Sequence, residues 1–313
     1  MSGPIDEQGR AEANRGISSI EVREGRAANI GPLGIVRVLP TKNRRTIGPW
    51  CFVDLMQADD IDRPPPLEIG PHPHIGLATV TWLFTGTVLH SDSLGTEQLI
   101  RPGQLNLMTA GRGIAHAEEG IATDATWEST GTMGVQMWLA QPEQTRHGVS
   151  DFQHVDELPE FELGTVRGRV LIGEIGDAVS PARFAHPSIG LDLTIDADST
   201  LPIEPTFEHG VVPIDRPIKV GDDIVEPGSL AIVPEGRDSL ALGARSMPAR
   251  VMVLGGRPLG DEVKMWWNFV ARTTEELTVA WRAWQEGDEE RFGPVPTGLE
   301  RIEAPTPPWI SQP

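Results

Sequence analysis

Two stretches of this chain repeat each other at a constant offset of 125 residues, without a gap. Pro102-Gly103-x-Leu105-x-Leu107-Met108-x-x-Gly111-Arg112 reappears as Pro227-Gly228-x-Leu230-x-Ile232-Val233-x-x-Gly236-Arg237. Each copy begins with a Pro-Gly turn, enters a short apolar run and leaves through a Gly-Arg turn. An offset of domain size points to a duplicated β domain. The surroundings agree, because short apolar runs at 35–39, 78–89, 105–108, 134–139 and 249–254 are bounded by turn residues. Such runs are strand signals, and their spacing is that of a barrel or sandwich. With 34 glycines and 28 prolines in 313 residues, turns are favoured over long helices.

One late segment has a different period. Thr273-Thr274-Glu275-Glu276 reads as a capping box, followed by Leu277, Ala280, Trp281 and Trp284 at i, i+3, i+4 and i+7. This predicts a helix near 274–286, ended at Gly287. The expected division is a polar, mobile stretch over 1–17, β domains over 18–150 and 151–292, and a Pro-rich tail over 293–313. The tail reads as an extended strap over the surface.

Charge and cysteine usage narrow the function. A net charge of −19 repels phosphate backbones and anionic lipid surfaces, so direct nucleic-acid or membrane binding is not expected. No leader or membrane-length apolar run is read, and the expected location is cytoplasmic. The lone Cys51 rules out an internal disulfide and multi-thiolate zinc sites, and is read as a small buried hydrophobe. No Gly-rich phosphate cradle followed by Lys and Ser/Thr is present.

The densest chemistry lies in His72-Pro73-His74 and His116-Ala117-Glu118. On a strand, residues i and i+2 share a face, so each segment presents a same-face pair of donors. Two strands facing one another across a barrel would then join three nitrogens and one oxygen around one ion. Four of six octahedral positions filled would leave two for a substrate. The repeat acts as an internal control. At the offset of 125, His116 corresponds to Ala241 and Glu118 to Gly243, so the second copy keeps the turns and lacks the donors.

These residues carry a family resemblance. The segment from His72 to Gly86, HPHIGLATVTWLFTG, resembles the first metal-binding motif of pirins, which are bicupins. MTAGRGIAHAE, from Met108 to Glu118, resembles the second, and residues 48–55, 134–142 and 253–270 are also pirin-like. The resemblance implies a mainly all-β bicupin: two face-to-face cupin barrels, the first metal-binding and the second degenerate, with a short C-terminal helix. By matching positions, His72, His74, His116 and Glu118 would be the metal ligands, usually to iron; imidazole and carboxylate also suit Mn, Ni, Cu and Zn. It further implies a dioxygenase that opens flavonols such as quercetin with dioxygen, with Glu118 as the catalytic base. The alternative it implies is a metal-bound regulatory protein controlling a metabolic enzyme or transcription factor, its acidic surface docking a basic protein partner.

One departure stands out: Ala78 occupies a position where pirins usually have Glu. By strand parity Ala78, Val80, Trp82 and Phe84 share the face of His72 and His74, giving the ion an apolar surround. His90 is expected to be a solvated turn residue. His147, His154, His186 and His209 are expected in satisfied structural roles, and Asp59-Asp60-Ile-Asp62 in an acidic loop.

Overall fold

Strands whose two faces are both apolar must be covered on both sides, and here each domain meets that demand by closing into a barrel and stacking on the other. The computed structural model describes residues 19–30, 33–56, 67–121, 131–244 and 248–310. The expected mobile stretch 1–17 and the Asp59–Asp62 loop lie outside the described residues. In the first barrel a seven-stranded antiparallel sheet runs, in space, Asp151–Val155, Leu105–Thr109, Leu77–Thr85, Met133–Ala140, Trp50–Met56, Leu33–Leu39, Arg26–Ile30. A four-stranded sheet closes it: Glu68–His74, Ile114–Gly120, Val88–Asp92, Glu97–Ile100.

The second barrel repeats this plan. Its seven-stranded sheet runs Glu21–Glu24, Ser229–Val233, Glu208–Pro213, Ala249–Gly256, Ser188–Ile195, Val166–Ile172, Glu160–Leu163. Its four-stranded sheet runs Ser199–Pro202, Ser239–Ala244, Ile218–Val220, Asp223–Val225. The repeated Pro-Gly segments of the sequence are thus the turns leading into equivalent strands, Leu105–Thr109 and Ser229–Val233. The duplication and the bicupin architecture stand.

Alternating side chains of the two large sheets meet in one shared core. Trp50, Val80, Trp82 and Met137 of the first barrel pack with Val212, Ile232, Met252 and Leu254 of the second. Trp50 Nε1 donates across the boundary to the carbonyls of Ile189 (3.1 Å) and Gly255 (3.0 Å), and Trp82 Nε1 to Asp192 Oδ2 (3.0 Å). The other face of each large sheet lines its own barrel. In the second barrel that interior is hydrophobic, with Val170, Leu193, Val211, Ala231 and Val251 among its residues.

Chain segments cross between the halves. Glu21–Glu24, near the N-terminus, adds to the second barrel beside Ser229–Val233, whereas Asp151–Val155 adds to the first beside Leu105–Thr109. The C-terminal helix spans Thr274–Glu286, with Thr273 and Glu276 forming the capping box and Gly287 ending it in the left-handed region. Leu277, Ala280 and Trp284 bury against Ile75, Ala115 and Phe269, behind the small sheet of the first barrel. Beyond the helix, Ile302 N donates to Pro71 O (2.9 Å). Cys51 is fully buried, and burial raises its thiol pKa to about 12. No described helix is long and apolar enough to cross a membrane.

Candidate metal centre

The alternation of Glu68–His74 sends His72 and His74 to the same face, and the antiparallel register sets His116 directly opposite His72. The two donor strands are therefore hydrogen-bonded neighbours in the small sheet, not strands facing across the barrel. The register slips between His116 and Glu118, so that Glu118 lies opposite Ile69. Pro71, which has no N–H to give the ladder, marks the place of the bulge. All four side chains are buried: His72 is 7% exposed, His74 1%, His116 1% and Glu118 4%.

The donor atoms form two overlapping triads that share His116. His72, His74 and His116 make one; His90, His116 and Glu118 make the other, each with its donor atoms within 4.8 Å of one another. His74 Nε2 and His116 Nε2 lie 3.1 Å apart. The tautomers follow from the partners on the far side of each ring. His72 Nδ1 faces Gly70 O (2.9 Å) and His74 Nδ1 faces Asn268 O (3.0 Å). Carbonyls only accept, so both Nδ1 atoms carry the proton and both Nε2 lone pairs are left to face the cluster. Burial lowers the pKa of His72 to about 4 and those of His74 and His116 well below the usual value, keeping the rings neutral.

His90 corrects the sequence reading. It is 3% exposed, not a solvated turn residue, because Val88–Asp92 is an inner strand of the small sheet with His90 opposite Glu118. Its Nε2 contacts Asp92 Oδ2 (3.1 Å) and its Nδ1 lies 3.4 Å from His116 Nδ1. Asp92 Oδ1 is itself held by the backbone N–H groups of Leu94 and Thr96 (2.9 and 3.1 Å). With Asp92 accepting from Nε2, His90 Nδ1 is left to accept from His116 Nδ1, which turns the His116 Nε2 lone pair toward His74. The spacing His90-x-Asp92 repeats that of His72-x-His74 and is the one local signal that could have marked this segment as a strand.

A second correction concerns the surround. Ala78, Val80 and Trp82 sit in the core between the barrels rather than at the site. The chain turns at Gly76, φ +64°, and passes from the small sheet to the large one between His74 and Leu77, so parity does not carry across. A Cβ at Gly76 would lie 2.3 Å from Val270 O. The face toward Glu118 is instead polar: Thr81 Oγ1 is 3.3 Å from Glu118 Oε1 and 3.0 Å from Gln136 Oε1. Burial raises the Glu118 carboxyl pKa, with His90 and Thr81 opposing. Aromatic rings complete the walls: Trp138 lies edge-on to His74 (5.1 Å) and stacks on Phe52 (4.0 Å), while Phe152 stacks on His90 (4.6 Å).

Sequence reasoning also missed Asn268. It lies in the turn between Lys264–Trp266 and Phe269–Ala271, where Trp267 takes a left-handed φ of +52°. A non-glycine residue held there is strained, and here the strained turn delivers the Asn268 carbonyl to His74. Among the other histidines, His154 is satisfied by Asn106 Oδ1 (2.7 Å) and Asp156 Oδ1 (3.0 Å), and His186 Nε2 by Arg257 O (2.7 Å). His209 is less well paired: among the described residues its Nδ1 makes no hydrogen bond of good geometry, and the ring meets only the Phe207 backbone.

The residues fit a metal ion. Neutral imidazoles with paired far sides and converging lone pairs are what a cation of borderline softness requires, and among the described residues no cationic side chain hydrogen-bonds Glu118. His90→Ala is expected to weaken metal binding about ten- to a hundredfold, the usual cost of losing a residue that orients a ligand. His154→Ala should leave affinity unchanged. Chelator competition measures both, and equal affinities for wild type and His90→Ala would refute the orienting role.

Residues 33–139 match the family model described as Pirin, and residues 190–293 that described as Pirin C-terminal cupin domain. A Pseudomonas aeruginosa protein named "Putative quercetin 2,3-dioxygenase PA1205" is 41% identical over 289 residues, 91% of this chain and 89% of its own. A Caulobacter vibrioides pirin-like protein is 32% identical, over 88% of this chain and 98% of its own. The crystal structure of a quercetin 2,3-dioxygenase from Acinetobacter baumannii matches with a TM-score of 0.86 and 36% identity, over 94% of this chain and 97% of that one.

Proposed function

The chain belongs to the pirin family, and from that premise we propose that it is a metal-dependent dioxygenase acting on flavonol-type substrates, with the first barrel as its active site. The observation that carries the reading is the convergence of three neutral, pre-oriented imidazoles beside a buried carboxylate. The relatives named for quercetin 2,3-dioxygenase support the substrate class.

His72, His74, His116 and Glu118 would hold one divalent ion, iron being the family's usual metal, with Mn, Ni, Cu or Zn compatible with the same donors. When bound, the ion supplies Lewis acidity toward the substrate hydroxyl and a meeting place for substrate and dioxygen. The residues of the chain do the rest. Glu118 accepts the proton of the flavonol hydroxyl on a carboxylate oxygen, a role suited to a buried carboxylate held beside the bound substrate. Thr81 steadies the same carboxylate. Phe52, Trp138 and Phe152 present aromatic walls that would orient a planar ring system and exclude water.

The test is oxygen-dependent loss of flavonol absorbance by metal-loaded protein. Glu118→Gln is expected to lower turnover by roughly 10²–10⁴, the usual contribution of a positioned acid–base group. Full metal occupancy with no turnover for iron, manganese, nickel, copper or zinc would sink the dioxygenase reading.

A further inference from the structure

The registers of the two barrels allow a residue-by-residue comparison. In the first, Thr79 pairs with Met108 on one side and Trp138 on the other, and Trp138 pairs with Phe52. In the second, His209 pairs with Val233 and Gly255, and Gly255 pairs with Ile189. Met108 and Val233 are equivalent through the 125-residue repeat. His209 therefore stands in the place of Thr79, Gly255 in that of Trp138, and Ile189 in that of Phe52. Where the first barrel places the stacked Trp138 and Phe52 rings at these positions, the second has no ring from either. The space is a cavity of about 770 Å³, within the size range of small-molecule sites.

The cavity has more than room. Ile189, Leu191 and Val253 give it a buried apolar floor, and the half-buried rings of Phe184 and Phe207 line it. His209, 2% exposed, is the polar group of that floor; among the described residues its Nδ1 makes no hydrogen bond of good geometry, and the ring has only a weak approach to the Phe207 backbone. A buried nitrogen so poorly paired is better satisfied by a ligand that brings it a hydrogen bond. Gly255 is what admits the imidazole, since a Cβ there would lie 2.7 Å from His209 Cδ2. Burial lowers the His209 pKa to about 4 against the pull of Glu204 and of the Phe207 backbone, so the ring is uncharged at neutral pH. The charged lining residues Glu174, Arg183 and Glu204 are exposed, and carry both signs.

We propose that this cavity of the second barrel binds an uncharged, hydroxylated aromatic molecule, its rings against Phe184 and Phe207 and its hydroxyl hydrogen-bonded to His209 Nδ1. A charged ligand would find no buried counter-charge on the floor, whereas a phenolic hydroxyl can donate to or accept from the ring nitrogen in either tautomer. The site is separate from the metal centre and does not depend on the dioxygenase reading.

Isothermal titration of the full chain with 2-naphthol tests it. One binding event should persist in His74→Ala, weaken about tenfold in His209→Phe, the value of one hydrogen bond, and vanish in Val179→Trp. Val179 lines the cavity and is 56% exposed, so tryptophan there closes the space without disturbing the core, which keeps the test decisive if His209→Phe fails to fold. 2-Methylnaphthalene, the same rings without a hydroxyl, should bind wild type about tenfold more weakly and be indifferent to His209→Phe. Absence of binding, or binding lost in His74→Ala yet intact in Val179→Trp, would overturn the proposal.

Discussion

His116→Ala is expected to strip the protein of metal, weakening binding by more than about a hundredfold. A four-donor site with an apparent binding free energy of about 10–16 kcal/mol places roughly 3 kcal/mol on each donor, and 3 kcal/mol is about two factors of ten. His116 should exceed that average because it belongs to both triads and contacts His74 and His90 through its two ring nitrogens. The substitution also leaves His90 Nδ1 buried without its partner, a further cost of about 1–3 kcal/mol to the fold. Metal analysis of protein purified without added ions reads the first effect and urea unfolding the second. Wild-type metal content in His116→Ala would mean that the imidazole cluster is not the binding site, and the proposed chemistry would go with it.

The second large effect lies far from that chemistry. Trp50→Ala should destabilise the fold by about 3–5 kcal/mol, the range for deleting a large buried aromatic side chain. Trp50 is 0% exposed in the core shared by the two sheets, and its indole N–H is shared between two carbonyls of the other barrel. Trp50→Phe keeps much of the volume and loses those bonds, so it should cost less. Urea unfolding followed by circular dichroism measures both. A loss below about 1 kcal/mol for Trp50→Ala would show that the interface is carried elsewhere.

The sequence made the duplication legible because turns and strands repeat at one offset, and both barrels depend on the same turn chemistry. The helix was legible because capping and period lie within a few residues of each other, and Thr273, Glu276 and Gly287 take those roles. His72, His74, His116 and Glu118 were legible through local spacing and the family motifs. What was not legible depends on which strand lies beside which. Ala78, Val80 and Trp82 were assigned to the metal face because parity was carried through the Gly76 turn, where the chain changes sheets. His90 looked like a turn residue because nothing in its own segment shows that its strand lies next to Ile114–Gly120. Asn268 is 194 residues from the histidine it orients, and it acts through a carbonyl that any residue possesses. His209 looked like any other structural histidine, since its poor pairing shows only where Gly255 faces it.

The Asn268 carbonyl also places the metal centre in time. All four donors have been synthesised by residue 118, yet the group that fixes the tautomer of His74 arrives 150 residues later, in a turn beyond the second barrel. A chain still growing on the ribosome can thus display the imidazoles before one of them is locked for coordination. A product stopped short of the turn would carry the four donors without the carbonyl that sets the His74 tautomer.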